Sequence, residues 1–192
     1  MHAVMRKRKE LMIFDDVDIS ITVEKNVKGN KVPMPLVIRK CNEKTVMEIT
    51  HEIRETQTKE IDRTAVLGNN KSDKLVKMYP YIPKFLRKWG YNKILNNPYS
   101  VKKYMGTVLL TSVGMFGKVS GWPIITATHP LAFASGSIAK KLKIAAGTLE
   151  EREYLSITIA IDHRIIDGGP AARFIEELNN LLENAHGLAA NE

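Results

Sequence analysis

The chain is poor in cysteine and has no long apolar run. Among its 192 residues Cys41 is the only cysteine, which excludes an intramolecular disulfide and any paired-cysteine zinc or redox motif. A single thiol is typical of a reducing compartment. No stretch approaches the roughly eighteen apolar residues of a membrane span, and the basic N-terminus leads into no apolar segment of a secretory signal. We therefore expect a soluble, cytoplasmic protein without a metal site.

Internal repeats and low-complexity tracts are also absent. The apolar fraction of 44% and the charged fraction of 26% are those of an average globular protein. The length is that of one ordinary domain, because two full domains need more residues to bury two separate cores. The sequence therefore predicts a single domain over residues 1–192.

Acidic residues are scarce in one segment. Between Asn70 and Tyr104, nine lysines and arginines stand against Asp73 alone, and this excess of eight equals the net charge of the whole chain, +8. The remainder is nearly neutral, which argues against a general nucleic-acid-binding protein and predicts one local basic element. Aromatic residues and prolines are interleaved with these cations. We expect a basic aromatic insertion at about 70–104, broken into short helical pieces by prolines and by Gly90.

The rest of the chain alternates between strand and helix patterns. Residues 14–23 alternate as a half-buried strand with Asp16, Asp18, Ser20 and Thr22 on its solvent side. Prolines place the next strand, 32–38, at a sheet margin. A helix follows over residues 43–59, strands are predicted over 106–114, 131–138 and 153–161, and a final helix is predicted from Pro170 to near Asn184. This order indicates an α/β fold with a mixed β-sheet and flanking helices.

The string Asp162-His163-Arg164-Ile165-Ile166-Asp167-Gly168 carries the chemistry. It places a histidine at the end of a strand, with a carboxylate four residues later and a glycine turn into a helix. A side chain mounted on a sheet in this way is held rigidly, as a general base requires. Thiols near pKa ~8.5 are mostly protonated at neutral pH, and an imidazole near ~6.5 can accept their proton during attack on an acyl group.

This string resembles the active-site signature of the dihydrolipoyl acyltransferase components of 2-oxo acid dehydrogenase complexes. It is similar more distantly to chloramphenicol acetyltransferase and to condensation domains of peptide synthetases. The resemblance extends to Gly106-Thr107, to residues 111–117 and to the helix that begins Ala171-Ala172-Arg173-Phe174, and it covers about residues 14–183 with the basic segment interrupting it. It implies a chloramphenicol-acetyltransferase-like α/β fold.

The resemblance also implies roles for single residues. His163 matches the base that deprotonates coenzyme A or the dihydrolipoyl thiol, and Thr111 matches the hydroxyl donor to the oxyanion. Asp167 matches a carboxylate that holds the loop through an ion pair, and Arg164 matches a charged partner in the motif. Ser112, Gly114 and Arg164 are the implied contacts to coenzyme A, which is a co-substrate; the lipoyl group would be presented by another domain or protein.

The sequence departs from the family in its upstream part. The family's first helices and the strand that helps to line its coenzyme channel have no counterpart here, and neither a lipoyl domain nor a subunit-binding domain is present. The family forms trimers with active sites between neighbours. We therefore expect a homotrimer, or a complex with a chain that supplies the N-terminal segment, acting on an acyl-coenzyme or a lipoyl-domain protein.

Two functions remain open from the sequence. The first is an acyltransferase that moves an acyl group between a lipoyl thioester and coenzyme A. The alternative is a catalytically silent module that keeps the fold for binding or assembly. For the basic segment, the sequence favours the coenzyme's phosphates or an acidic partner surface over a membrane, with a solvated basic face as the alternative.

Overall fold

The computed structural model describes residues 3–6, 10–27, 30–58, 82–114, 117, 121–145 and 147–187. Within these ranges, none of the helices has the length and apolar composition needed to cross a membrane. The strands are β1 (Ala3–Arg6), β2 (Glu10–Ile13), β3 (Ile19–Val27), β4 (Asn30–Ile38), β5 (Val108–Ser112), β6 (Leu131–Ala145) and β7 (Thr148–Ile161). The helices are α1 (Val46–Thr58), α2 (Lys84–Leu95), α3 (Pro98–Met105) and α4 (Gly168–Glu183), and a 3₁₀ turn spans Cys41–Glu43.

Five strands form one mixed sheet in the order β4-β3-β5-β6-β7, and β1 and β2 form a separate hairpin. Strand β5 runs parallel to both of its neighbours, whereas the β3–β4 and β6–β7 pairs are antiparallel. The predicted α/β fold class is confirmed. Strand β4 lies at the sheet edge, as its prolines indicated, because an edge strand can spare the ladder donors that proline lacks.

The two faces of the sheet differ in chemistry. Ile21, Leu110, Phe133 and Ile159 fall in one row across four strands. Helix α1 packs on this apolar face through Ile49 and Ile53, beside Ile21, and α4 reaches it where Phe174 meets Phe133 at 6.3 Å between ring centres. The opposite face carries small and hydroxyl side chains: Ser20, Thr111, Ala132, Ala134 and Thr158.

The predicted solvent side of the first strand is partly wrong. Asp18 is only 3% exposed and Ser20 only 7%. The reason is tertiary: Asp18 lies just before β3, where Arg39, Lys40 and Thr107 from other parts of the chain bond to it, and Ser20 lies close to the backbone of Gly106. A period-two pattern identifies the strand but does not distinguish a solvated face from one that is buried by other parts of the chain.

Buried Asp18 links three parts of the fold. Its carboxylate accepts hydrogen bonds from Arg39 Nη1 and from the backbone N–H of Lys40, both at 2.9 Å. The same Arg39 also donates to the carbonyls of Lys102 and Lys103, at the end of α3. The Asp18 carbonyl in turn accepts from the N–H of Thr107 at 2.7 Å. This network fixes the end of α3 against β3 and β4.

Replacing Asp18 with asparagine should lower the unfolding free energy by about 2–3 kcal/mol, because Arg39 loses its charged acceptor in a buried network. Denaturant unfolding measures this change. The matched control is Asp15→Asn, since Asp15 is exposed and should change stability by less than about 0.5 kcal/mol. Equal stability of Asp18→Asn and the wild type would contradict the assignment of Asp18 to a stabilising network.

The predicted breaks and ends of several elements also need correction. Gly90 does not break the basic segment: it lies inside α2, and a Cβ there would meet no atom within 4 Å. Helix α4 begins at Gly168 and not at Pro170. Strands β6 and β7 extend beyond the predicted ends, because they pair with each other past Ser135, where β5 has already ended. The stretch 70–81 of the predicted insertion lies outside the described residues.

Candidate active site

His163 lies on a short turn that is fixed at both ends. Strand β7 ends at Ile161, and the N–H of Asp162 donates to the carbonyl of Pro130 at 2.9 Å. The Asp162 carbonyl accepts from the N–H groups of Ile165 and Ile166 at 2.9 and 3.1 Å. Ile166 is 5% exposed and anchors the turn in the core. The imidazole itself is exposed on this rigid mount.

The imidazole lies beside the glycine that follows the turn. A Cβ built on Gly168, the first residue of helix α4, would lie 4.0 Å from His163 Nε2. This separation is an ordinary van der Waals contact, so the ring does not by itself require glycine at this position.

Asp162 and Arg164 form the charged pair of the turn. Arg164 Nε and Nη2 donate to the Asp162 carboxylate at 2.9 and 2.6 Å, and the Arg164 N–H donates to it at 3.0 Å. The side-chain hydrogen bond from Arg164 is the main cause that lowers the pKa of Asp162, and the same bond raises the pKa of Arg164. The pair is therefore charged on both sides at neutral pH, and it would be lost only as the pH falls through the lowered carboxyl pKa.

The ion pair predicted for Asp167 is formed by Asp162. Asp167 is the N-cap residue of α4, and its carbonyl accepts from the N–H of Ala171 at 3.0 Å. Its carboxylate is exposed and makes no capping bond, nor any ion pair with another described residue. The fold of the turn places the Asp162 carboxylate, and not that of Asp167, against the Arg164 guanidinium.

Thr111, Ser112 and Gly114 lie at the other end of the sheet. Thr111 is half-buried on β5, paired with Ala134. Ser112 is the next residue on the strand and therefore points to the opposite face. A Cβ on Gly114 would lie 2.5 Å from the Gly136 carbonyl oxygen, so this glycine is needed for a close backbone approach. The structure does not bring Ser112 together with Thr111.

Within one chain, His163 and Thr111 are far apart. Thr111 is level with Ala134 and with Thr158 in the ladder, and His163 follows Thr158 by five residues. At about 3.3 Å per residue along a strand and about 4.8 Å between strands, this register separates the two residues by roughly 19 Å. A base and an oxyanion donor must act on the same carbonyl, so a single copy does not hold them in one site.

A cavity of about 290 Å³ lies beside the His163 turn. His129 lines it together with Asp162 and Arg164. The nitrogen Nε2 of His129 lies 2.7 Å from the Met105 carbonyl; because a carbonyl only accepts, Nε2 carries the proton. The other ring nitrogen, Nδ1, is buried and has no partner among the described residues.

Sequence reasoning missed His129 and Thr158. The Thr158 hydroxyl is buried without a partner among the described residues, and it shares a row with Thr111. The dipeptide His129-Pro130 directly before a predicted strand was a usable signal for the first residue. No local signal marks Thr158, because only the pairing of β6 with β5 and β7 places it in line with Thr111.

No group of three or more His, Cys, Asp or Glu side chains that could hold a metal ion occurs in the described ranges.

Part of the chain is similar to a known family of domains. Residues 97–190 match the family of the 2-oxoacid dehydrogenases acyltransferase (catalytic domain). The match contains α3, β5, the His163 turn and α4. Helix α2 lies before it.

Relatives extend the similarity over most of the chain. One relative is the dihydrolipoyllysine-residue succinyltransferase component of the 2-oxoglutarate dehydrogenase complex of Staphylococcus saprophyticus. The two sequences are 26% identical over 174 residues, and this alignment covers 90% of the chain and 32% of that protein. The chain thus spans about a third of the length of the curated relatives that it matches across most of its own length.

Solved structures share the fold. A probable dihydrolipoamide acetyltransferase of Listeria monocytogenes superimposes with a TM-score of 0.56 at 18% identity, covering 95% of the chain and 62% of that structure. The cubic core of a pyruvate dehydrogenase multienzyme complex gives 0.55 at 17% identity, covering 94% and 60%. These likenesses confirm the predicted fold.

Proposed function

We propose that the chain, whose residues 97–190 match the acyltransferase (catalytic domain) family of the 2-oxoacid dehydrogenases, transfers an acyl group between a dihydrolipoyl thioester and coenzyme A. The observation that carries the proposal is the mount of His163, at the end of β7, inside the matched segment. A fixed turn with an exposed imidazole is what a general base needs to reach a thiol of a separate substrate.

His163 would accept the proton of the attacking thiol. As the thiol sulfur bonds to the acyl carbon, the carbonyl becomes a tetrahedral oxyanion, and the Thr111 hydroxyl would donate a hydrogen bond to it. When the intermediate collapses, the bond from the acyl carbon to the first sulfur breaks, and His163 returns its proton to the departing thiolate. The protons balance, and no redox step is needed.

We propose that the site forms between copies of the chain. The separation of roughly 19 Å along the ladder prevents His163 and Thr111 of one copy from meeting at one carbonyl. A neighbouring copy could place its Thr111 beside His163. The contact between the two copies would also exclude water from the thioester. Head-to-tail contacts ordinarily close into a ring, and we propose a homotrimer because the family that the sequence resembles forms trimers.

A thiol-release assay tests the activity. Free dihydrolipoamide is supplied with a panel of acyl-coenzymes, and the released coenzyme thiol is measured. Succinyl-coenzyme A is the first donor to test, because the curated relatives are named succinyltransferases. Transfer with at least one donor supports the proposal. No transfer with any donor by an assembled oligomer would favour the catalytically silent module.

Contacts of Ser112, Gly114 and Arg164 with the coenzyme remain proposals; Arg164, at 69% side-chain exposure, is the most accessible group of the three.

Mixing two inactive variants tests whether the site is shared. In an equal mixture of His163→Ala and Thr111→Val chains, assembled at random, about a quarter of the interfaces combine an intact His163 with an intact Thr111. We expect activity to recover to about a quarter of the wild-type value after dissociation and reassembly, with each variant alone far below this level.

Two results would contradict the shared site. One is a mixture that shows only the average of the two variants although light scattering confirms mixed oligomers. The other is a monomer, observed by light scattering across a dilution series, that keeps full specific activity. Reassembled wild-type chains are the control for losses during dissociation.

A further inference from the structure

Helix α2 presents an apolar stripe that points away from the rest of the described chain. Phe85, Leu86 and Trp89 are 71%, 49% and 65% exposed. Phe85 and Trp89 are four positions apart and Leu86 and Trp89 are three apart, so these three side chains lie within about 100° of arc. Arg87, on the far side of the helix, is only partly exposed, and α2 packs against α3.

Cations lie along one edge of this stripe and within it. On the helix, Lys84 and Lys88 lie on one side of Phe85, and Lys93 lies between Trp89 and Leu86. The Lys93 ammonium is 5.3 Å from the centre of the Trp89 ring. Residues 82–105 contain six lysines and arginines and no acidic residue. Lys84 and Lys88 make no ion pair within the described part of the chain, so their charges remain available to an anionic partner.

The stripe and its charge together select the partner. A second copy seated on the same stripe would place these lysines against their equivalents, and the like charges would repel. The bases of a nucleic acid would stack on Trp89 or Phe85 but would leave the exposed Leu86 beside them without an apolar contact. An apolar arc with tryptophan and phenylalanine, edged by lysines, is the pattern of a helix that lies in the interface of a bilayer. We propose that α2 docks the protein on the surface of an anionic lipid membrane.

In this arrangement Phe85, Leu86 and Trp89 enter the headgroup region, and the bordering lysines contact lipid phosphates. Binding combines burial of apolar area with attraction to anionic lipid, so neither part alone is sufficient. Helix α2 lies outside the segment 97–190 that carries the acyltransferase match. Docking is thus a property beyond acyl transfer, and its test uses no enzymatic readout.

Tryptophan fluorescence tests the insertion directly. The chain contains two tryptophans, so the variant Trp122→Phe leaves Trp89 as the reporter and Trp89→Phe leaves Trp122. Each is titrated with phosphatidylcholine vesicles that contain no anionic lipid or about 30% phosphatidylserine. The Trp89 emission should shift to shorter wavelength only with the anionic vesicles. The shift should be reversed when the salt concentration rises from about 0.1 to about 1 M, because the screening length then falls from about 10 to about 3 Å. The Trp122 emission should not move.

Cosedimentation with the same vesicles measures the contributions of the side chains. Lys84→Gln with Lys88→Gln should weaken binding by about fivefold per removed cation, roughly 25-fold together. Trp89→Ala should weaken it on the order of tenfold. The matched controls are Lys141→Gln with Lys143→Gln, on the exposed part of β6, and Trp122→Ala, which is also exposed. Circular dichroism and the unfolding midpoint confirm that every variant is folded.

The proposal is overturned by any of three results. The first is an absence of binding to the anionic vesicles by the folded full chain, or equal binding to neutral ones. The second is an equal loss with the control variants. The third is that the chain binds polyglutamate, an RNA homopolymer or coenzyme A but does not bind the vesicles, and that Lys84→Gln with Lys88→Gln weakens this binding.

Discussion

Replacing His163 with alanine should lower the rate of acyl transfer at least about 10³-fold, because a positioned general base contributes on the order of 10² to 10⁴. The side chain is exposed, and the turn is held by backbone hydrogen bonds of Asp162 and by buried Ile166. The unfolding free energy should therefore change by less than about 0.5 kcal/mol. Thiol release and denaturant unfolding measure the two effects on the same preparation.

The matched control is His51→Ala, which removes an exposed imidazole from α1 and should leave transfer unchanged. Near-wild-type turnover of His163→Ala would refute the assignment of His163 as the base. A loss of activity accompanied by unfolding would point to a structural role of the ring, which the geometry of the turn does not predict.

Thr111→Val should lower turnover on the order of 10²-fold with little change in the apparent KM, since a donor to the oxyanion acts in the transition state and not in the bound substrate. Valine keeps the branched shape at this half-buried strand position and loses only the hydroxyl. Thr111→Ser restores the donor and should recover most of the activity. The measurement is a full substrate titration of each variant.

A rise in the apparent KM at unchanged turnover would contradict the oxyanion role, because Thr111 would then only line the binding site. Failure of serine to rescue activity, in a chain that unfolds like the wild type, would point to the methyl group and not to the hydroxyl. Both outcomes are distinguishable from a loss of assembly by light scattering.

Local sequence determined most of the secondary structure. The alternation of residues 14–23, the prolines of β4 and the helical spacing of apolar residues in α1 each follow from local geometry. Strand β4 and helix α1 are present, whereas the first strand is shifted along the chain, since β3 spans Ile19–Val27. The chemistry of the His163 turn was also readable, because its residues are contiguous.

Contacts between distant residues decided the rest. Asp18 looked like a solvent-facing residue by its alternation, but it is buried among Arg39, Lys40 and Thr107, which come from other parts of the chain. The choice of Asp162 over Asp167 as the partner of Arg164 depends on the fold of one turn, which spacing alone does not give.

The sequence by itself determined which residues are candidates for acyl transfer and where the positive charge lies, since both are properties of side chains in a local string. Only the tertiary structure decided their distances. The ladder register separates His163 from Thr111 within one chain, and the packing of α2 on α3 turns Phe85 and Trp89 outward. Strand register and helix orientation are set by burial of a whole apolar face at once, and no short stretch of sequence contains that information.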